Sequence, residues 1–338
     1  MASKPDHLER TAAEPRDRSL ATVVLERVDE VNDTARVFRL GIPPGSPPIR
    51  FLPGQWLDVY VPGVERAGGF TITSTPREAR LPHPEAPPDP EPGSPQQQPA
   101  SPARARGPYL ELAVRRSTDS PSAAWLWRAP ASALVGAELR VRVGGGFVWP
   151  PPGVNVHALR RVVFVAGGMG VNPLVSMLGA LAASPPASRG HLDVRFLYSL
   201  RDPVAGAGAR AARHMLFLER IARALGPDGV RGRLEVFLTG GEAGPAPGSG
   251  LGSGGDVITW DGDGGDGTTE ASIPFHPRRC TVDDVARAVG DTSAERRFAV
   301  VYVCGVPAMT DEFVARLTDG GRDGLGMEPH RVLCEKWW

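Results

Sequence analysis

The chain has 338 residues, of which 41% are hydrophobic, and its 38 basic and 38 acidic residues give no formal net charge at pH 7. This length suits two domains of ordinary size, and the even charge argues against a protein that binds nucleic acid or an anionic membrane surface. No stretch contains the roughly 20 consecutive apolar residues of a membrane span, so we expect a soluble protein.

Three cysteines, Cys280, Cys304 and Cys334, are too few and too scattered for a disulfide framework or a Cys-x-x-Cys metal site. The seven histidines show no pairing at ligand spacing, so we predict no bound metal. The first 20 residues contain four acidic side chains and lack an apolar centre, unlike a mitochondrial presequence or a secretory signal. We expect a flexible N-terminus over residues 1–20 and an intracellular protein with reduced thiols.

Short strand signals dominate the first half of the chain. They are rich in β-branched and aromatic residues and are separated by turn residues such as Pro53-Gly54. A short helix near Ser122–Trp127 interrupts them. The predicted strands are Ala21–Asp29, Thr34–Leu40, Trp56–Val61, Gly69–Ser74, Tyr109–Arg115 and Leu139–Val143. Six short strands at this density predict a six-stranded antiparallel barrel over residues 21–152.

After residue 158 strands alternate with amphipathic helices. The first helix follows Pro173, which suits a first helical turn, and its apolar residues have the i, i+3, i+4, i+7 spacing of one helix face. The predicted strands are Arg161–Val165, Val194–Ser199, Leu234–Thr239, Phe298–Cys304 and His330–Cys334, and the later helices are Ala209–Leu225, Val282–Val289 and Ala308–Leu317. This alternation predicts a parallel α/β domain over residues 158–338.

Two stretches have the composition of loops. Residues 82–106 hold nine prolines, and residues 240–270 hold twelve glycines. Because neither composition forms a packed core, we predict that both are low-complexity insertions inside the domains.

The turn Ala166–Pro173, with the sequence AGGMGVNP, is the strongest sign of a ligand site. Glycines after a strand let the backbone approach a phosphate, and the following helix directs free N–H groups and partial positive charge at it. Similar turns also occur for packing alone, and the spacing is not the G-x-G-x-x-G of a standard dinucleotide-binding domain. The turn predicts nucleotide binding, with packing as the alternative.

A second turn, Tyr302–Met309, follows another predicted strand. Ligands of open α/β sheets bind outside the carboxyl ends of the strands, so Cys304 and Gly305 are expected beside the first turn. Cys304 is either a reactive thiol or a small buried hydrophobe. The absence of a base nearby in the sequence favours the inert alternative.

Four features, in this order, resemble the ferredoxin–NADP reductase superfamily over residues 21–338. A Pro-Gly-Gln-aromatic turn is present as Pro53–Trp56, and an Arg-x-Tyr-Ser strand is present in altered form as Gly68–Thr71. A Gly-Gly-x-Gly-x-x-Pro turn matches Gly167–Pro173, and Cys-Gly-x-Pro-x-Met matches Cys304–Met309.

A narrower resemblance is to the group called oxidoreductase NAD-binding domain-containing protein 1. It implies a mitochondrial location, with the cytoplasm as the alternative because no presequence is visible. It rests on the segments Asp6–Thr11, Gly68–Ser74, Arg142–Gly145 and Glu335–Trp338.

The superfamily resemblance implies FAD on the barrel and NAD(P)H on the α/β domain. Phe70 would pack on the isoalloxazine, and Thr71 would act as a catalytic residue through a hydrogen bond to flavin N5. Cys304 would be a second catalytic residue near the nicotinamide. The other expected cofactor contacts are Thr73, Ser74, Gly167, Gly168, Met169, Gly170, Val171, Asn172, Pro173, Tyr198, Ser199, Arg279, Gly305, Trp337 and Trp338. A terminal tryptophan would cover the second flavin face, or else simply plug the barrel.

The implied activity is that of an NAD(P)H-dependent oxidoreductase, which passes hydride to a flavin and electrons to an unknown acceptor. One departure concerns the flavin phosphate, because the arginine that pairs with it in the superfamily is Gly68 here, and the Gly-x-x-Ser stretch reads Ser120–Ala123. Arg115 and Arg116 are possible substitutes. The alternative functions are a nucleotide-binding sensor or assembly module with a degenerate flavin site, and an interaction protein built on the two loops.

The residues after the predicted strand Val194–Ser199 bear on the choice of nucleotide. Arg201 would accept the 2′-phosphate of NADP, whereas Asp202 would repel it and favour free ribose hydroxyls. We expect NAD, with NADP left open by Arg201.

Overall fold

The structure is a computed structural model, and it describes residues 6–83, 107–204, 210–240, 257–261, 270–321 and 324–336. These residues form a six-stranded antiparallel sheet followed by an eight-stranded, mostly parallel sheet with helices. The predicted fold class, an antiparallel barrel followed by an α/β domain, is confirmed.

The first sheet contains β1 (Ala21–Asn32), β2 (Ala35–Gly41), β3 (Trp56–Tyr60), β4 (Gly68–Thr71), β5 (Tyr109–Arg115) and β6 (Glu138–Gly144). Its order is β4-β3-β6-β1-β2-β5, with antiparallel neighbours throughout. A bridge between Ile72 and Leu112 joins the two edges, so the sheet closes into a barrel. Alternate apolar side chains fill its interior, as expected for a small barrel.

The second sheet contains β7 (Arg161–Gly167), β8 (Asp193–Arg201), β9 (Arg210–Ala211), β10 (Gly232–Thr239), β11 (Val257–Asp261), β12 (Glu270–His276), β13 (Ala299–Gly305) and β14 (Val332–Lys336). Its order is β14-β13-β7-β8-β10-β12-β11-β9. The six strands from β14 to β12 run parallel, and β11 returns antiparallel to β12. Every residue of β13 is buried, because helices cover both faces of the sheet.

The helices are α1 (His7–Arg10), α2 (Pro121–Leu126), α3 (Val171–Ala183), α4 (Pro186–Arg189), α5 (Leu218–Ala224), α6 (Val282–Val289), α7 (Ser293–Arg296) and α8 (Pro307–Thr318). The apolar sides of α3 and α5 share one core with one face of the second sheet, and those of α6 and α8 pack with the other face. Among the described residues, none of these helices has both the length and the apolarity to cross a membrane.

The glycine-rich stretch 240–270 was predicted to be an insertion without regular structure, but it contains the strand β11. β11 pairs with β12 from Val257 opposite Pro274 to Asp261 opposite Glu270. The sequence Val-Ile-Thr-Trp is a good strand signal, but the surrounding glycines obscure it. Residues 241–256 and 262–269 lie outside the described residues.

The helix predicted over Ala209–Leu225 is also shorter than expected. β9 and a single 3-10 turn occupy its first part, and α5 begins only at Leu218. Phe217, directly before it, has a left-handed φ of 59°. A residue in that conformation interrupts a right-handed helix, and side-chain periodicity does not reveal it.

The N-terminal segment, predicted to be flexible, packs on the barrel from Asp6 to Asp17. Asp6 caps α1 in a capping box with Glu9. Arg16 forms a β-bridge with Gly144, and the Asp17 amide donates to the Val143 carbonyl at 2.9 Å. The residues that this segment contacts are distant in the sequence. Its polar composition alone therefore predicted a flexible, solvent-exposed segment.

Candidate functional site

The glycine turn predicted to bind a nucleotide connects β7 to α3. β7 ends at Gly167, a single 3-10 turn covers Gly168–Gly170, and α3 begins at Val171. A Cβ atom on Gly170 would lie 2.1 Å from the carbonyl oxygen of Cys304. Only glycine allows these two backbone segments to touch, so the turn is fixed against the end of β13.

Gly168 is the exposed glycine of the turn. Its φ is +54°, and no atom lies within 4 Å of the position that a Cβ would occupy. The backbone is therefore open to a ligand at this residue, beside the start of the 13-residue helix α3. The free N–H groups and partial positive charge at a helix start favour a phosphate there.

The other predicted contacts in the turn have half-buried or buried side chains. Met169 is half-buried, whereas Val171, Asn172 and Pro173 are buried. The Asn172 amide group donates a hydrogen bond of 3.0 Å to the carbonyl of Ala113 in β5. The Asn172 side chain therefore fastens the start of α3 to the barrel.

Cys304, predicted to be catalytic, is fully buried at the end of β13. Burial raises the pKa of its thiol well above the ordinary value, and the nearby Glu335 and Cys334 act in the same direction. A buried thiol with a raised pKa agrees with the alternative in which Cys304 is a small, inert hydrophobic residue. Gly305 follows it, where an added Cβ would lie 3.3 Å from the Cα of Gly167. The two predicted turns are in direct contact.

A cleft of about 510 Å³ opens beside the Cys-Gly turn. Its walls come from the start of α6 with the residues before it, and from one side of α8 along most of its length. They carry two arginines, Arg279 and Arg316, together with the carboxylates of Asp283 and Glu312. Met309 connects the cleft to the glycine turn, because it lines the cleft and its terminal methyl would lie 2.9 Å from a Cβ on Gly167. The predicted contact Arg279 is thus exposed at the carboxyl edge of the sheet.

The end of β8, which was predicted to approach the adenosine half of the nucleotide, is less exposed than the glycine turn. Tyr198 is 1% exposed and packs in the core shared with α3, so it would have to leave that core to touch a ligand. Ser199 is half-buried. Asp202 is buried, and its carboxylate accepts a hydrogen bond of 3.0 Å from Arg210. Asp202 is therefore not a free acceptor for ribose hydroxyls, while the Arg201 side chain is exposed.

The barrel strand β4 carries the residues predicted to contact a flavin. Phe70 lies opposite Leu57 and Thr71 lies opposite Trp56, so the two side chains are on opposite faces of the strand. Phe70 is half-buried and packs against the barrel core, and Thr71 is 3% exposed. The structure does not bring these two side chains together on one surface.

Thr73 and Ser74, also predicted to contact a cofactor, are buried and occupied within the protein. The Thr73 hydroxyl donates to the Glu111 carboxylate at 2.7 Å, and the Ser74 hydroxyl accepts from the Glu111 amide at 3.0 Å. Both hydroxyls fasten the end of β4 to β5.

At Gly68, where the superfamily has an arginine, other side chains of this protein occupy the space of a side chain. A Cβ on Gly68 would lie 2.7 Å from the Phe70 ring and 2.7 Å from the Cβ of Ser122. The possible substitutes Arg115 and Arg116 are exposed, and the Arg116 guanidinium lies 5.9 Å from the Trp127 ring centre. The residues at this position of β4 do not fit a flavin phosphate.

A buried charge cluster, which the sequence analysis missed, lies on the other face of β4. The carboxylate of Asp58 is fully buried and meets His7 Nε2 at 2.9 Å, Arg16 Nε at 3.2 Å and Arg142 Nη2 at 2.7 Å. A Cβ on Gly69 would lie 2.1 Å from the His7 ring. The signal was present, since Asp6–Thr11 and Arg142–Gly145 are segments that carried the narrower resemblance.

The neighbours of Asp58 stabilise the negative charge of its carboxylate. Burial alone would raise the pKa of Asp58, but hydrogen bonds from His7 and Arg142 and the charge of Arg16 outweigh burial and lower the pKa below its ordinary value. Trp56 completes the cluster, with the His7 ring edge-on at 4.7 Å and the Arg16 guanidinium at 4.9 Å. The N-terminal segment therefore supports β4 from the side opposite Phe70.

Hydrogen bonds also fix the α/β domain to the barrel near β4. Ser176 of α3 donates to the Ser74 carbonyl at 2.7 Å. Arg220 of α5 donates to the Glu111 carboxylate at 2.6 Å and to the Thr73 carbonyl at 2.9 Å. The glycine turn and the barrel strand β4 are thus held in one arrangement. Trp337 and Trp338, the predicted flavin cover, lie outside the described residues.

Comparison with known proteins agrees with this architecture. The chain is 31% identical over 341 residues to oxidoreductase NAD-binding domain-containing protein 1 of Pongo abelii, covering 99% of this chain and 85% of the relative. The proteins of the same name from Bos taurus and Homo sapiens are 26% and 25% identical, again over 99% of this chain. The chain matches no protein-family model.

Solved structures share the fold at low sequence identity. A ferredoxin NADP⁺ reductase from Neisseria gonorrhoeae with bound FAD and NADP matches with a TM-score of 0.56 and 15% identity, over 95% of this chain and 99% of that one. The CS-b5R domains of human Ncb5or (NAD⁺ form) match with a TM-score of 0.57 and 14% identity, over 94% and 69% of the two chains. Given the match to the Pongo abelii protein over nearly the whole of this chain, the chain belongs to the family of oxidoreductase NAD-binding domain-containing protein 1.

Proposed function

We propose that this chain is an enzyme, an NAD(P)H-dependent oxidoreductase that passes hydride from the nicotinamide to a flavin and electrons onward to an acceptor. The family and the fold are those of an NAD(P)H oxidoreductase-type module. The observation that carries the proposal is the pair of turns at the carboxyl edge of the second sheet. Gly170 is locked onto Cys304, and Gly168 presents open backbone beside the start of α3.

The nucleotide half of this proposal fits the residues present. The Gly167–Gly170 backbone and the start of α3 would hold the phosphates of NAD(P)H. Gly305 lets the second turn approach Gly167 closely, so the two turns are in contact. Arg279, exposed in the neighbouring cleft, would add a charged contact to the nucleotide.

A binding and turnover experiment tests this proposal. NADH or NADPH is titrated into the purified full chain and followed by quenching of tryptophan fluorescence. Anaerobic oxidation of the nucleotide is then followed by its absorbance after a flavin is added. We expect saturable binding and flavin-dependent oxidation. The absence of nucleotide binding at millimolar concentration would overturn the proposal.

The alternative is a nucleotide-binding module that lacks flavin chemistry and serves as a sensor or assembly partner. The filled position at Gly68 is the observation that favours it, because the phosphate contact of the superfamily is missing there. The same experiment separates the two functions. Nucleotide binding without oxidation in the presence of any flavin supports the module, and oxidation supports the enzyme.

A further inference from the structure

The side of the second sheet that carries α6 is covered only in part. In the described part of the chain, α6 packs over β7, β8 and β13, and no helix packs to a similar extent over β10 or β12 on this side. Arg195 of β8 and Arg233 of β10 lie side by side in register. Both point to this side, because Leu197 and Phe237, at alternate positions of the same strands, belong to the α6 core.

Polar side chains take the place of a covering helix over β10. Phe237 is fully buried, but the His276 ring stacks on it at 4.8 Å and the Arg278 guanidinium lies 5.2 Å from its ring centre. Parallel sheets are usually covered with apolar side chains on both faces. We call this surface the arginine surface, and it consists of Arg195, Arg233, Glu235, His276, Arg278 and Arg287.

The carboxylates that serve these cations are too few to balance them. Each of three carboxylates is shared by two basic side chains. The sets are Arg161 and Arg195 on Asp193, Arg233 and His276 on Glu235, and Arg278 and Arg287 on Asp284.

The charge excess comes from arginine alone. Burial, and then the charge of Arg278, lower the pKa of His276, so its ring adds no charge near neutral pH. Glu295 faces Arg161 at the margin of the surface. Five arginines then face four carboxylates, and the surface keeps an excess of positive charge.

The arginines retain donors for a further acceptor. The Arg233 side chain is 61% exposed and approaches Glu235 only to 3.7 Å, and the Arg287 side chain is 62% exposed. An arginine has five N–H donors, of which one shared carboxylate uses a minority. Arg195 and Arg233 also place like charges beside each other on neighbouring strands, which is unfavourable until an anion lies between them.

We propose that the arginine surface binds an acidic segment of a partner protein. Carboxylates match the planar donor fork of arginine. Single-stranded nucleic acids commonly stack their bases on exposed rings as well, whereas Phe237 is buried and His276 is stacked on it. The inference is independent of the proposed function, because α3 and its glycine turn pack on the opposite side of the sheet.

A peptide titration of the full chain tests the proposal. A short peptide of alternating glutamate and serine is titrated by calorimetry, and a peptide with glutamine in place of glutamate is the control. We expect saturable binding of the glutamate peptide that weakens as salt is added, because exposed charges are screened, and no binding of the glutamine peptide. Saturating NADH should leave the peptide affinity unchanged.

Two matched variants locate the binding surface. Arg233→Glu combined with Arg287→Glu reverses the two most exposed charges, and we expect the peptide affinity to fall about tenfold or more. Arg27→Glu combined with Arg50→Glu makes the same change of charge at exposed positions of the barrel, and the affinity should stay within about twofold. Circular dichroism checks the fold of both. If the first variant fails to fold, Arg233→Gln with Arg287→Gln replaces it, and a lower affinity is again expected.

Several results would overturn the proposal and leave the proposed function standing. Equal losses in the two variants would mean that total charge governs binding. Displacement of the peptide by NADH would place it at the glycine turn. A single-stranded oligonucleotide of the same charge that binds about tenfold more tightly than the peptide would indicate a nucleic-acid surface. Absence of peptide binding at millimolar concentration would also reject the proposal, and NADH titration of the same sample tests the proposed function separately.

Discussion

The glycine turn after β7 and the barrel strand β4 both contain glycines that leave no room for a side chain, but the space is used differently. At the turn, Gly170 meets the backbone of β13, while Gly168 faces open solvent. In β4, Gly68 is covered by Phe70 and Ser122, and Gly69 is covered by His7. One region keeps its backbone available to a ligand, and the other has filled the equivalent space with its own side chains.

This difference teaches that a glycine pair in a sequence indicates close approach without indicating what approaches. At Gly170 the neighbouring atoms are main-chain atoms of β13, which cannot move independently of the sheet. In β4 they are side chains brought in from residues 7 and 122. Function follows from the identity of the approaching group, which only the tertiary structure supplies.

The largest expected effect tests the support of β4 by the buried charge cluster. Asp58→Ala leaves Arg16, Arg142 and His7 without their shared carboxylate, and we expect it to lower the free energy of unfolding by about 3–5 kcal/mol. The control is Asp29→Ala, because the ion pair of Asp29 with Arg27 is exposed on both sides and should change stability by about 0.5 kcal/mol or less. Urea unfolding measures both. Equal effects would show that the cluster does not hold the strand.

The next effect concerns the contact of the turn with β13. Gly170→Ala places a Cβ against the Cys304 carbonyl, and the strands and helix must shift, so we expect a loss of about 3 kcal/mol together with loss of nucleotide binding. Gly320→Ala is the control, because nothing lies within 4 Å of its added Cβ. Thermal unfolding and NADH titration check both variants. Normal NADH affinity in Gly170→Ala would contradict the role of this contact.

Smaller effects on both stability and nucleotide binding are expected at Gly168. Gly168→Ala has space for its Cβ but strains a left-handed backbone, which costs about 1–2 kcal/mol. The added methyl projects into the space assigned to the nucleotide, so NADH affinity should fall about tenfold. Gly63→Ala, with a φ of +74° and equally open surroundings, has the same strain and should leave NADH affinity unchanged. A fall in both variants would mean that strain alone is responsible.

The smallest expected effect is a dependence of the free energy of unfolding on pH, which arises from Asp58 in the barrel. The pKa of Asp58 is lower in the folded protein than its ordinary value of 3.8. Its contribution to stability is therefore fully present above about pH 4 and is lost as the pH falls through the folded-state pKa. Unfolding of the wild type and of Asp58→Ala between pH 6 and pH 3 measures it. The stability difference should shrink on acidification, and a constant difference would contradict the ionised cluster.

Much of the architecture was readable from the sequence. The change from short alternating strands to amphipathic helices marks the passage from barrel to α/β domain, because apolar periodicity records which faces are buried. The placement of Gly167–Gly170 beside Cys304 and Gly305 followed from a general rule for parallel sheets, whose carboxyl ends share one edge. These features depend on local patterns, and local patterns are visible in a sequence.

The filled surface of β4 was not readable, since it depends on contacts between distant residues. His7 meets Asp58 across 51 positions, and Arg142 meets Asp58 across 84. Tyr198 and Asp202 illustrate the same limit, because a strand end predicts a nearby ligand but not that one side chain enters the core and the other pairs with Arg210. Periodicity assigns a residue to a face and leaves its partner unspecified.

The hydrogen bonds of α3 have a consequence for movement of the α/β domain relative to the barrel. Asn172 and Ser176 are one helical turn apart, and both donate to carbonyls of the barrel. The helix that begins at the glycine turn is thus fastened to Ser74, which follows β4, and to Ala113 in β5. While those two bonds persist, the glycine turn at the start of α3 cannot swing away from the barrel without breaking one of them.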